Sequence, residues 1–191
     1  MSPSLKGTVM TLIAGIAWGL SGACGQYLMS HGFSPMTLTT MRLVLAGVVL
    51  IFFAYLADKK KMKAFLHDRS TYLPLCLFSF LGLLMTQLTY LEAIDATNAG
   101  TATVLQYLCP IFVLVYTCLK DRLAPTISEL VSMVLAIAAT FLIATHGRID
   151  QLAITPRGLF WGLVSAVAYA LYIILPIPLI RKWGSMLVIG C

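Results

Sequence analysis

Six stretches of about twenty mostly apolar residues follow one another with short polar breaks. They cover roughly 7–29, 37–56, 72–94, 99–119, 127–145 and 158–180, and a seventh begins near Ser185 and reaches Cys191. That length matches the hydrocarbon core of a bilayer when wound as an α-helix. Lipid offers no partner to backbone N–H and C=O groups, so spans of this length must satisfy themselves as helices. Barrel strands would be about half as long and would alternate polar and apolar residues, and no such alternation is present. The chain is 60% hydrophobic and only 10% charged, against about 25% charged in soluble domains. The fold class expected is an all-α integral membrane bundle with the lipid bilayer as its partner.

The charges are not spread evenly. Lys6, Lys59, Lys60, Lys61, Lys63, Arg69, Lys120, Arg122, Arg181 and Lys182 fall on one side of the alternating spans. Only Arg148 and Arg157 fall on the other. The positive-inside rule then places the N-terminus in the cytoplasm. The clusters sit between spans, so the net charge of +6 does not indicate nucleic acid. The run 7–29 is too long for the h-region of a signal peptide. Ser21-Gly22-Ala23-Cys24 is a weak cleavage signal, because Ser21 stands where a large aliphatic residue belongs, and the segment reads as a retained span. The five cysteines form no C-x-x-C pair and read as small buried apolar residues.

An internal repeat adds architecture. Shifting the chain by 151 residues places Gly7 on Gly158, Leu12 on Leu163, Ala17 on Ala168, Leu20 on Leu171, Trp18 on Tyr169 and Ser34 on Ser185. Five spans separate the two starts, so the second copy enters the membrane from the opposite face. Inverted repeats of this kind typify secondary transporters. The organisation expected is a first five-helix repeat at 1–146 and the truncated start of a second at 154–191. Two full units would need roughly 300 residues. A fragment and a naturally shortened protein are both open, as are a homodimer and pairing with a missing second half.

Polar residues inside spans carry the functional information. Arg42 lies within the second span, where a charge is costly and marks function or a buried pair, unless its side chain snorkels to the interface. Gly15, Gly19, Gly22 and Gln26 form one stripe on the first span, suited to close helix packing, with Trp18 and Ser21 beside it. Gln87 and Tyr90 share one side of the third span. Thr103, Gln106, Tyr107 and Pro110 share a face of the fourth, and Ser165, Tyr169, Tyr172 and Pro176 a face of the sixth. Pro110 and Pro176 remove backbone hydrogen bonds and kink their helices. These faces together suggest a polar pocket near mid-membrane, with helix packing as the competing explanation for each residue. Glu92 and Asp95, at the outer end of the third span, are candidates for ion coupling or simply a solvated helix end. Glu129 reads as a solvated helix start, and His31, His67 and His146 lie in loops without ligand spacing.

No catalytic residue set, metal site or cofactor motif is found. G-x-x-x-x-G-K-[ST] is missing, so the chain carries no ATP-hydrolysing engine of its own, and neither G-x-S-x-G nor H-E-x-x-H occurs.

Several of these motifs resemble the drug/metabolite transporter superfamily, in its EamA branch of ten-span permeases. Gly15-Ile16-Ala17-Trp18-Gly19 is similar to that family's opening helix. Ser34-Pro35 followed by Arg42-Leu43-Val44-Leu45-Ala46 resembles its second span. The run from Thr101 through Gln106 and Pro110 to Phe112 resembles its fourth. Ala136-Ile137-Ala138-Ala139 departs from the glycine-rich fifth span usual there. The resemblance implies a secondary transporter for small metabolites, amino acids or related compounds, with export favoured, working across the cytoplasmic membrane by alternating access. On this reading Arg42 is expected to hold a substrate carboxylate, Trp18 and Tyr169 to stack on or enclose the substrate, and Gln106 to hydrogen-bond it. Two other readings stay open at this point. One is a non-transporting truncated remnant or scaffold, and the other a membrane-embedded enzyme acting on lipid-linked substrates.

Overall fold

The computed structural model describes residues 3–122, 124–145 and 154–191. His146 and Arg148 lie outside the described residues. Eight helical segments are found among those described: α1 (Pro3–Ser30), α2 (Pro35–Ala57), α3 (Lys59–His67), α4 (Arg69–Ala96), α5 (Ala99–Asp121), α6 (Ile127–Thr145), α7 (Pro156–Trp183) and α8 (Ser185–Gly190). Five of them, α1, α2, α4, α5 and α7, are long and apolar enough to cross a membrane, and α6 contributes a shorter apolar stretch, Ile127–Ala139. The protein is an all-α, multi-pass membrane bundle.

Helix starts follow local chemistry. Ser34 Oγ accepts the Thr37 N–H at 3.2 Å ahead of Pro35, and Thr155 Oγ1 accepts the Gly158 N–H at 3.1 Å ahead of Pro156. A hydroxyl at the N-cap satisfies an orphan donor, and proline at the first helical position forfeits only an N–H that had no partner. At α6 the Thr126 N–H donates to Glu129 Oε2 (2.6 Å) and the Glu129 N–H returns to Thr126 Oγ1 (3.4 Å). Glu129 thus completes a capping box.

One element escaped the sequence reading. The charged run after α2, expected as a loop, folds into α3 because Asp58 caps it through the Lys61 N–H at 2.9 Å. Met62 and Phe65, one turn apart, then bury an apolar edge against Leu179, Leu187 and Val188. His67 ends this helix and is not a loop residue.

The core lies where α4, α5 and α7 meet. Burial reaches 22–33% of the most apolar stretch in these three helices but only 6% in α1 and α2. Large apolar side chains stay exposed on all of them, as suits helices in lipid, which supplies no driving force between helices. α4 and α7 run antiparallel and are fastened at both ends. At one end Lys182 pairs with Asp68, and Trp183 Nε1 donates to Thr71 Oγ1 at 3.1 Å. At the other, Arg157 reaches Glu92 at 3.0 Å and Asp95 at 3.9 Å, and Thr155 Oγ1 donates to the Ala96 carbonyl at 3.1 Å.

Three helices depart from regular winding where they pass the core. α5 breaks at Tyr107 and Leu108, ahead of Pro110, and α7 at Leu175 and Pro176. Proline supplies no N–H, so the carbonyls of Gln106 and Tyr172 lose their intrahelical partners. α4 winds as a π-helix over Phe78–Leu84, where the Met85 N–H reaches back to the Phe80 carbonyl. Within it, a Cβ on Gly82 would stand 3.2 Å from Tyr172 Cα, so any larger residue would push the two backbones apart by a few tenths of an ångström.

The glycine stripe of α1 needs correcting. Gly15 and Gly19 have nothing within 4 Å of a would-be Cβ. The close approach is made instead by Gly22, 2.8 Å from Tyr90 Oη, and by Gly25, 2.8 Å from the Arg42 guanidinium. The stripe predicted a continuous packing face, but among the described residues no helix covers the first half of α1. The cysteines need a similar correction: Cys109 is buried, whereas Cys24, Cys76 and Cys191 are exposed.

Candidate functional site

Arg42 projects from α2 toward α1. Its guanidinium donates to the Ser21 carbonyl and passes over Gly25, whose missing side chain leaves room for it. Among the described residues no carboxylate lies within ion-pair distance of Arg42. The guanidinium carries five N–H donors in a planar fork. One contact to a carbonyl leaves most of them available.

A cavity of about 500 Å³ opens beside it, lined by Ser21, Arg42, Gln87 and Tyr172 together with Leu43, Leu45, Ala46, Gly47, Leu50, Leu83 and Ile189. The structure therefore brings four of the expected site residues, from four helices, to one space. Its remaining walls are aliphatic. An apolar pocket with a few convergent polar groups is the common form of a small-molecule site. The π-helical turn bears on this geometry, since Leu83 lies within it and Gln87 follows one turn later. Such segments recur at functional sites, and nothing in the hydrophobic pattern announced it.

Behind the cavity runs a row of aromatic rings. Phe78 and Tyr172 lie 5.7 Å apart, Tyr172 and Tyr169 stack at 5.8 Å, Tyr169 and Trp18 meet at 6.1 Å, and Trp18 and Tyr90 at 6.2 Å. These spacings fall within the attractive range for aromatic pairs. The Thr103 hydroxyl donates to the Ala99 carbonyl at 2.6 Å, so the Tyr90 hydroxyl is the donor in its 2.8 Å bond to Thr103.

Gln106 and Ser165 sit apart from the cavity, both fully buried between α5 and α7. Gln106 Nε2 donates to Ser165 Oγ at 2.8 Å, while Gln106 Oε1 has no protein partner. Gln26 lies at the edge, where its Oε1 accepts the Ala99 N–H at 2.8 Å and holds the start of α5. Glu92 and Asp95 are engaged by Arg157 at the far end of α4. A second cavity, of about 660 Å³, lies between α5 and α6 and takes in Tyr107 and Pro110 from the expected face of α5. The single mid-membrane pocket expected from sequence is thus divided. Arg42, Ser21, Gln87 and Tyr172 share the cavity, Trp18, Tyr90, Thr103 and Tyr169 pack behind it, and Gln106 is buried separately.

This arrangement, a cation without a carboxylate partner among the described residues and beside a cavity between helices, can be set beside known proteins. No solved structure matches the chain. The uncharacterized inner membrane transporter YicL of Salmonella typhimurium is 39% identical over 191 residues. The match takes in all of this chain and 63% of that relative, so the chain spans less than two thirds of its length. Residues 5–145 match the profile of the EamA-like transporter family. With that match extending over most of its length and covering every helix from α1 to α6, the chain belongs to the EamA-like transporter family.

Proposed function

We propose that this protein moves small carboxylate-bearing metabolites, amino acids or related compounds, across the cytoplasmic membrane by alternating access, with export as the favoured direction. The observation that carries this reading is Arg42, a cation inside a span, half-buried beside a cavity and without a carboxylate partner among the described residues. An uncompensated charge at membrane depth is expensive and persists where function needs it. A substrate carboxylate would accept two parallel N–H bonds from the guanidinium. Gln87 and Ser21 supply neighbouring polar groups, and Tyr172 gives the substrate an aromatic wall.

The 151-residue repeat supports a second, inverted unit beginning at 154, with the N-terminus cytoplasmic by the charge asymmetry. The two units would rock about a site at their interface. Glu92 and Asp95 are the groups we assign to ion coupling. A proton or cation taken up there would compete with Arg157 and loosen α4 from the start of α7.

Counterflow in proteoliposomes tests the reading. Wild-type protein should accumulate labelled amino acid against preloaded unlabelled substrate. Arg42→Ala should lower the rate at least tenfold, a loss of about 1.4 kcal/mol of binding, and Arg42→Lys should restore part of it. Equal rates for wild type and Arg42→Ala would overturn the proposal.

A further inference from the structure

We propose that α3 and the corner between α7 and α8 form a binding site for the headgroups of anionic phospholipids. Five residues of α3, Lys59 to Lys63, include four lysines, and Arg69, Arg181 and Lys182 lie nearby in exposed positions. Against these cations stand two carboxylates, Asp58 and Asp68. Lys182 takes Asp68, whereas Lys60, Lys61, Lys63, Arg69 and Arg181 have no ion pair among the described residues.

A charge excess in a loop would follow from membrane insertion alone. What distinguishes this cluster is that it is folded. Met62 and Phe65 seat one edge of α3 in the core, and Phe65 meets the Trp183 ring edge-on at 5.5 Å. At 100° per residue, Lys60 then stands opposite that buried edge, with Lys59 and Lys63 beside it. Lys61 turns toward α7, with its Nζ 3.7 Å from where a Cβ on Gly184 would stand. Lys59 Nζ lies 4.9 Å over the Tyr55 ring. The apolar edge of α3 is taken up by the protein core, and its place between the ends of two spans, Pro35–Ala57 and Arg69–Ala96, holds its outward lysines at the level of the headgroups. Anionic headgroups lie in the plane such a helix occupies, and each Lys near them adds about 1 kcal/mol. The ligand chemistry is therefore a phosphate monoanion carried on two acyl chains, which the exposed apolar faces of α2 and α7 flank.

The test compares the full chain in nanodiscs of phosphatidylcholine alone with discs containing a minority of phosphatidylglycerol. Wild-type protein should unfold at higher temperature in the mixed discs and retain phosphatidylglycerol in native mass spectrometry. The variant Lys60→Gln/Lys61→Gln/Lys63→Gln should bind that lipid about a hundredfold more weakly and lose the thermal shift. Its transition in pure phosphatidylcholine should match wild type, since Met62 and Phe65 are untouched. Should that variant fail to fold, Lys60→Gln alone should weaken lipid retention about fivefold. Equal retention by wild type and variant would overturn the proposal. So would an equal thermal shift from millimolar inorganic phosphate in pure phosphatidylcholine discs.

Discussion

Trp18 and Tyr169 face one another with ring centroids 6.1 Å apart and planes inclined by 30°, and the same two residues coincide when the chain is shifted by 151 positions. In the inverted repeat proposed above α1 and α7 would be equivalent helices, and equivalent residues of two such helices can touch only near the axis that relates them. The contact therefore supports placing that axis between α1 and α7, beside the cavity that Arg42 and Tyr172 line.

Trp18 should matter both to stability and to transport. Trp18→Ala removes two aromatic pairings and should lower stability by about 2 kcal/mol, whereas Trp18→Phe should retain most of it. Thermal unfolding in detergent reads the first effect. A counterflow rate that falls in Trp18→Ala, but not in a stability-matched variant elsewhere, would locate the ring at the substrate path.

Gln106 separates function from packing in another way. Its Oε1 is buried without a protein partner, and an orphaned acceptor costs about 1–3 kcal/mol. Gln106→Leu should thus leave the unfolding temperature nearly unchanged, with the Ser165 hydroxyl free to bond back along its own helix. Counterflow should nonetheless fall severalfold. Wild-type transport by a folded Gln106→Leu would remove Gln106 from the site.

Glycines that look alike in sequence should behave differently. A Cβ on Gly162 would stand 2.4 Å from Leu105 Cδ1 and 2.8 Å from Leu105 Cβ, and the latter atom cannot swing away. Gly162→Ala should cost about 1–3 kcal/mol through overpacking. Gly15→Ala and Gly19→Ala, which meet nothing within 4 Å, should stay within about 0.5 kcal/mol of wild type.

The Asp68–Lys182 pair predicts a pH dependence. The Lys182 hydrogen bond, and after it that of Ser70, holds the Asp68 carboxyl well below the usual carboxylate range. A carboxyl with a depressed folded-state pKa stabilises above its unfolded value, about 3.9, and loses that contribution as pH falls below it. Asp68→Asn should therefore unfold at lower temperature than wild type at pH 7, and the gap should close on acidification below about pH 4. Because the pair is solvent-exposed, raising the salt concentration at neutral pH should narrow the same gap.

The sequence by itself determined the apolar runs, their helical state and the two breaks at proline. Each rests on local physics: the length needed to cross lipid, the hydroxyl-proline starts at Ser34 and Thr155, and the donor missing at Pro110 and Pro176. It also singled out Arg42, because a charge in an apolar run needs no partner to be conspicuous. Only the tertiary structure decided which polar faces share a space. Gln87 reached the cavity while Tyr90, one turn on, turned to Trp18 and Thr103. Gln26 was drawn off to the start of α5, Arg157 was set against Glu92, and Gly25 proved to be the glycine that admits Arg42. The physical reason is that these helices are apolar nearly all round, so periodicity does not say which side meets protein and which meets lipid. The π-helical turn at Phe78–Leu84 and the folding of α3 belong to the same class. Both depend on contacts with α7 and α8, about a hundred residues distant along the chain.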